Sequence, residues 1–275
     1  MRVLIAGCGY VGTALGLELA LDGHEVFGLR RDPSGLPSQI EPVAANLLAG
    51  TDLREALPTG IEAVVITASA DSRDPAAYRR AYVDAPANLL RLLEGRGDPV
   101  RRVLFTSSTA VYGQRDDEWV DEDSDTAPSS ETGRILVEAE ERFHDAPFTT
   151  VVTRLGGIYG PGRTRLLEQV RRGEATCPEE TTYTNRIHRE DCAGALAHLL
   201  TLNEPADVYC VVDRDPAERC VVLRWLAEQL GAPEPAVSPG TRRRGSKRVR
   251  SDRLISSGYA LRFPSFREGY APLTR

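Results

Sequence analysis

Cysteine is sparse in this chain and poorly arranged for chemistry. Five occur in 275 residues, at positions 8, 177, 192, 210 and 220, and no two form a C-x-x-C pair. An odd, scattered set fits reduced, mostly buried thiols and argues against a zinc site; no metal is expected. Long apolar runs are lacking too. None reaches the ~18 residues that a membrane-spanning helix requires, so no membrane partner is expected. Basic residues do not dominate: 34 Lys and Arg stand against 40 Asp and Glu, a net charge of −6. That balance argues against nucleic acid as a partner. Internal repeats and low-complexity linkers are also missing. The start, "MRVLIAGCGY", meets glycine too soon for a secretory signal, which predicts a cytoplasmic protein.

What is present is an alternation of short apolar runs with helical patterns. Residues 1–6, 25–30, 63–68, 101–107 and 148–157 read as strands. Helical spacing fills 13–22 and 76–95, and a further helix begins near Ser130. Strand–helix–strand repetition with buried strands predicts an α/β fold, a Rossmann-type doubly wound parallel sheet. Composition shifts after "YGPGR" (159–163). The expected organisation is therefore a dinucleotide-binding domain over 1–162 and a smaller substrate lobe over 163–275. Helices are expected at 164–173, 190–202 and 218–230, and a strand near 206–212 is expected to return to the main sheet.

"IAGCGYVGTALG" follows the first strand and opens the first helix, with Gly7, Gly9 and Gly12 spaced G-x-G-x-x-G. Gly7 permits a tight turn, Gly9 lets the backbone approach a pyrophosphate, and Gly12 lets the helix pack close to the strand. The helix N-terminus offers unpaired N–H groups to the anion. An ordinary glycine-rich turn is the bland alternative. An NAD site would carry an acidic residue at the end of the second strand, on the ribose hydroxyls. Here "FGLRRDP" puts Arg30 and Arg31 there instead. Two guanidiniums suit a 2′-phosphate, so NADP(H) is the preferred cofactor and NAD(H) the second choice. A solvated arginine pair is the alternative.

"GCGYVG", "VLFTSSTAVYG" (103–113), "VTRLGGIYGPG" (152–162) and "NRIHREDCAGAL" (185–196) together span most of the chain. They resemble the extended short-chain dehydrogenases/reductases of the NAD-dependent epimerase/dehydratase group. The resemblance implies a cofactor site that also includes Cys8, Tyr10, Val11, Asn46, Ala68 and Ser107. It implies a catalytic serine at Ser108 and substrate contacts at Thr109 and Tyr159. It allows a homodimer. One departure matters. The family's Tyr-x-x-x-Lys pair, in which lysine lowers the tyrosine's pKa, would fall on Ser130 and Arg134. A serine hydroxyl is a far weaker acid than a phenol, and arginine does not release its proton. The chain is thus similar to an atypical branch of the superfamily that lacks this pair.

Another group would have to move the proton, and His188, Tyr112 and Glu131 are the candidates in that order. His188 is the side chain best suited to proton transfer near neutrality, although it could equally bond loop backbone. Ser130 and Glu131 read equally as a helix N-cap and its first-turn acid. Arg134 could bond the nicotinamide ribose or a substrate carboxylate. Asn185 and Arg186 could orient a polar or anionic substrate, whereas Asp191 reads as a structural first-turn acid. Seven basic residues lie between Arg242 and Arg253. Such a run is usually a solvated face, but Lys247 and Arg248 could pair with an anionic substrate.

The expected function is hydride transfer between NADP(H) and a carbonyl or alcohol of a small anionic or sugar-like molecule held by Ser108. Two alternatives stand beside it: an NADP-binding protein without turnover, serving as a redox-sensing regulator or scaffold, and a sugar epimerase/dehydratase.

Overall fold

The computed structural model describes residues 1–238 and 245–275. Its first five strands are β1 (Arg2–Ala6), β2 (Glu25–Arg30), β3 (Glu41–Ala44), β4 (Ala63–Ile66) and β5 (Arg102–Ser108). With strands Thr150–Leu155 and Val208–Val211 they make a seven-stranded sheet. Its order is Val208–Val211, Thr150–Leu155, β5, β4, β1, β2, β3. β1 pairs in parallel with β2 on one side and β4 on the other. The order reverses at this point, and in doubly wound sheets ligands bind outside the strand ends at such a reversal. Val3, Leu4, Ile5 and Ala6 are fully buried, as are Val64, Val103 and Leu104. Sheets covered on both faces favour such continuous apolar strands over alternating ones.

Helix α1 (Tyr10–Leu21) follows β1 directly. A longer helical run covers Pro75–Arg79, a π turn at Arg80–Asp84, and Ala85–Arg96. Asp74 caps its start by accepting from the Ala77 N–H. The π turn precedes Pro86, which has no N–H to donate back into the ladder, so the register widens there. Gly97, at φ +67°, ends the run. Helix Glu131–His144 buries Ile135, Leu136, Ala139 and Phe143, and Phe143 stacks on Phe105 of β5 at 4.2 Å. No helix among the described residues is long and apolar enough to cross a membrane. None of the five cysteines is joined in a disulfide among the described residues, and four of them are buried.

The chain folds into two compact units that interleave along the sequence. The first comprises Met1–Val111, Pro128–Arg154 and Ala193–Tyr209; the second comprises Tyr112–Ala127, Leu155–Cys192 and Cys210–Arg275. A single cut at 162 therefore differs from the observed division. Late segments belong to the first unit because they complete it. Val152 donates its N–H to the Asp207 carbonyl at 2.8 Å, and Arg102 donates to the carbonyls of Leu199, Leu200 and Leu202 near the end of helix Arg189–Thr201. The strand expected near 206–212 is Val208–Val211, at the edge of the main sheet.

The second unit is built from short strand pairs. Asp116–Val120 pairs with Ser246–Val249, Gly157–Tyr159 with Arg186–His188, and Tyr183–Thr184 with Ala217–Glu218. Leu167, Val170, Val222, Leu226 and Phe266 form its core. Asp191 does more than the first-turn acid expected of it. Fully buried, its carboxylate accepts from the N–H groups of Arg262 and Phe263 and from the Tyr259 hydroxyl, which anchors the C-terminal segment.

Candidate functional site

The end of β1 turns sharply at Gly7, whose φ is +86°. A Cβ there would stand 2.5 Å from the Ala68 amide nitrogen, so Gly7 and Ala68 leave no room for a side chain. At Gly12 a Cβ would meet Thr67 Oγ1 at 2.8 Å and Ile5 Cγ2 at 2.9 Å, so α1 packs tightly on the sheet. Above Gly9 the space is open: the nearest atom to a Cβ there would be the Gly7 carbonyl oxygen at 3.7 Å. α1 has no capping side chain at its start and no acidic residue in its first turn. Its N–H groups thus face a space that an anion can fill.

Around this turn, Cys8 and Val11 point into the core, and burial pushes the Cys8 thiol up to about 11. They can meet a ligand only through backbone. Tyr10 is half-buried at the helix start. Arg30 is exposed, with Nη1 3.5 Å from the Cys8 carbonyl oxygen. Arg31 faces Asp71 at 3.4 Å. Asn46 is exposed beyond β3, and its side-chain oxygen accepts from the Leu48 N–H at 3.1 Å.

The C-terminal end of β5 carries the serines. Ser107 was expected at the cofactor, but its hydroxyl turns inward and donates to Glu140 at 2.5 Å. Glu140 is paired in turn with Arg154 at 2.8 Å, with both side chains buried. This triad was not anticipated; the signal was an arginine inside the apolar strand "VVTRL". Ser108 is half-buried, and its Oγ accepts from the Ala110 N–H at 3.2 Å. Thr109 opens the 3-10 turn Thr109–Val111.

Ser130, weighed as a catalytic group, is the N-cap of helix Glu131–His144; its Oγ accepts from the Gly133 N–H at 3.1 Å. Glu131 is exposed in the first turn. Arg134 is exposed and donates to the Ser129 carbonyl at 3.1 Å. A Cβ on Gly133 would stand 3.0 Å from the Ala110 carbonyl oxygen. The helix start therefore lies against the turn that follows Ser108, which brings Ser108, Thr109, Ser130 and Glu131 to one end of the first unit.

Several candidates in the second unit are buried or engaged in internal contacts. Tyr112 was a proton-donor candidate, yet it is 2% exposed, donates to the Asp121 carbonyl at 2.7 Å and touches Cys210 Sγ at 3.0 Å. His188 is equally buried. Its Nδ1 accepts from the Glu190 N–H at 3.3 Å, and its ring packs on Tyr159 and Phe263. Burial lowers its pKa, and among the described residues its Nε2 meets no hydrogen-bond partner. Tyr159 stacks on Tyr270 at 4.3 Å, and burial pushes its phenol far above the usual range.

The residues expected to line a substrate pocket hold the second unit together instead. Asn185 accepts from the Val249 N–H and donates to the Lys247 carbonyl. Arg186 is buried and donates to the carbonyl and hydroxyl of Thr184. Lys247 Nζ donates to the Tyr112 carbonyl at 2.7 Å, and burial lowers its pKa. Arg248 donates to the Asp117 carbonyl, with its guanidinium over Trp119 and Tyr183. Arg242 to Arg244 of the basic run lie outside the described residues.

Residues 3–211 match the NAD dependent epimerase/dehydratase family. Among solved structures, a Methylobacillus flagellatus protein classed with the NAD-dependent epimerases/dehydratases is 36% identical; the match covers 99% of this chain and 97% of that one at a TM-score of 0.85. A Silicibacter pomeroyi protein of unknown function is 29% identical over 99% of this chain and 98% of its own, with a TM-score of 0.82. MoeE5, solved with UDP-glucuronic acid and NAD, is 26% identical over 98% of this chain and 97% of its own, with a TM-score of 0.83. No curated protein matches the chain. With the family's pattern running through three-quarters of its length, from β1 to the last strand of the sheet, the chain belongs to the NAD-dependent epimerase/dehydratase family.

Proposed function

We propose that this chain is an NADP-preferring oxidoreductase of the short-chain type, acting on a carbonyl or secondary alcohol of a small anionic or sugar-like substrate. The observation that carries the reading is the glycine turn: a closed Gly7, an open Gly9 and an uncapped helix start suit a pyrophosphate. Arg30, exposed beside the Cys8 carbonyl, suits a 2′-phosphate, to which a guanidinium can donate paired bonds. When bound, the dinucleotide supplies or accepts the hydride. Ser108 holds the substrate oxygen through its hydroxyl, at the end of a buried strand that keeps its position.

The proton needs a route without a phenol. With Tyr112 and His188 spent inside the second unit, Glu131 is the remaining candidate. It is exposed at a helix start that abuts the turn after Ser108. In the reducing direction a protonated Glu131 would pass its proton to the substrate oxygen, directly or through water, and recover it from solvent. Sugar epimerisation, which repeats the hydride step in reverse, is a further use of the same groups; it is in keeping with the likeness to MoeE5, which holds a nucleotide sugar and NAD. Binding without turnover is the competing reading, favoured by the capping role of Ser130 in place of a tyrosine.

Calorimetry with NADP and NAD, followed by turnover assays on aldehydes, ketones and nucleotide sugars, tests the proposal. NADP should bind more tightly than NAD, and Arg30→Ala should weaken NADP roughly tenfold or more while sparing NAD. Ser108→Ala should abolish most turnover without changing cofactor affinity. Turnover unchanged by that substitution would reject the assignment of Ser108, and no binding of either dinucleotide would reject the proposal as a whole.

A further inference from the structure

Arg31 directly follows β2, and Asp71 lies on the segment that follows β4. β2 and β4 are the two sheet neighbours of β1, whose end carries the glycine turn. The Arg31–Asp71 ion pair, at 3.4 Å, therefore runs from one flank of that turn to the other. Both side chains are largely exposed, at 73% and 77%, so each is free to exchange partners. Neighbouring Arg30 points at the turn itself.

We infer that Asp71 is a specificity-determining residue: its carboxylate competes with a 2′-phosphate for Arg31 and so sets how strongly the chain prefers NADP over NAD. The inference rests on the dinucleotide reading proposed above. A guanidinium presents its donors in one rigid fork, and the edge given to a carboxylate is withheld from a phosphate. A phosphate seated on Arg31 would also lie within one Debye length of the Asp71 charge, about 8 Å in physiological salt, and be repelled. Ribose hydroxyls face no such penalty. They can donate to a carboxylate, the service that NAD sites usually obtain from an acid at the end of the second strand. In this chain that strand ends in arginine, and the acid comes from the opposite flank of the turn.

The test is calorimetric titration of the intact chain with NADP and NAD at low salt, comparing wild type, Asp71→Asn, Arg31→Ala and the double variant. Asp71→Asn should tighten NADP about two- to fivefold, the range of an exposed ion pair, and leave NAD unchanged or slightly weaker. In the Arg31→Ala background the same substitution should lose most of its effect, because the contested guanidinium is gone. If wild type binds NADP but Asp71→Asn leaves the NADP-to-NAD ratio unchanged, the inference is overturned. A full gain that persists without Arg31 overturns it as well. If wild type binds neither dinucleotide, the underlying reading fails and the inference falls with it. Far-UV circular dichroism and the thermal midpoint should be unaltered in Asp71→Asn; a large change in either would place Asp71 in the scaffold and overturn the assignment.

Discussion

Replacing Arg154 by leucine should unfold this protein more easily than any comparable surface change, and the structure indicates by how much. Arg154 and Glu140 have side chains only 8% and 5% exposed, and their ion pair is 2.8 Å long. Both Nε and Nη2 of Arg154 donate to the carboxylate, and Ser107 donates to it as well. Without the guanidinium, a buried carboxylate keeps a serine hydroxyl as its remaining bond among these. Breaking one side of such a pair costs about 3–5 kcal/mol. Removing both charges, as Glu140→Met with Arg154→Leu, relieves that penalty and leaves mainly the Ser107 hydroxyl without its acceptor, about 1–3 kcal/mol. Urea titration followed by fluorescence is the assay. The single variant should shift the midpoint down by about 1 M or more with little change in slope, and the double variant by clearly less. A single variant within ~1 kcal/mol of wild type, or a double variant worse than the single, would refute the buried-pair reasoning.

Gly7→Ala should lose both folding stability and dinucleotide affinity: a side chain at φ +86° costs about 1–2 kcal/mol, and its Cβ also collides with Ala68. Thermal unfolding and calorimetry read the two effects separately. Asp191→Ala removes the carboxylate that three donors of the C-terminal segment share and should cost about 2–3 kcal/mol or more, with faster proteolysis after residue 258 as a local readout. Asp213 provides a pH signature. Burial raises its carboxyl from 3.8 to about 8, against the pull of Arg186. The folded state then holds a proton that the unfolded chain releases, so this group's contribution falls as pH rises from about 4 to about 8 and is level above that. Asp213→Asn should flatten that slope in urea midpoints measured across the range; an unchanged slope would show that the carboxyl is ionised in the native state.

The main sheet was legible because its strands are buried on both faces and written as unbroken apolar runs. β1, β2 and β5 lie where "RVLIA", "EVFGLR" and "RRVLFTS" predict them. β3, "EPVA", escaped notice because it is four residues long, contains a proline and is buried at one position of four. The short strands of the second unit have no period to detect, since two or three residues cannot show alternation. The interleaved division was hidden for a different reason. Which unit a segment joins depends on contacts between residues far apart in the chain, such as Val152 with Asp207, and no local pattern encodes them.

The glycine turn lies where the sequence puts it, whereas the polar motifs are largely engaged in internal hydrogen bonds, and hydrogen-bond accounting explains both. Every buried N–H and carbonyl needs a partner. In the first unit a seven-stranded sheet supplies most of those partners through its ladders, so polar residues at strand ends, such as Arg30 and Ser108, remain available to a ligand. Among its described residues the second unit has only pairs of short strands, and side chains must complete what ladders leave undone. Asn185 serves Val249 and Lys247, Lys247 serves Tyr112, Arg248 serves Asp117, and Asp191 serves Arg262 and Phe263. Tyr112 and Glu122 do likewise for Asp121 and Cys210. A dense polar stretch such as "TYTNRIHRED" therefore has two physical causes, a ligand or a backbone short of partners. In a lobe with this little sheet the second is the stronger demand, which is why the motif richest in candidate chemistry spends so many of its side chains on the backbone around it.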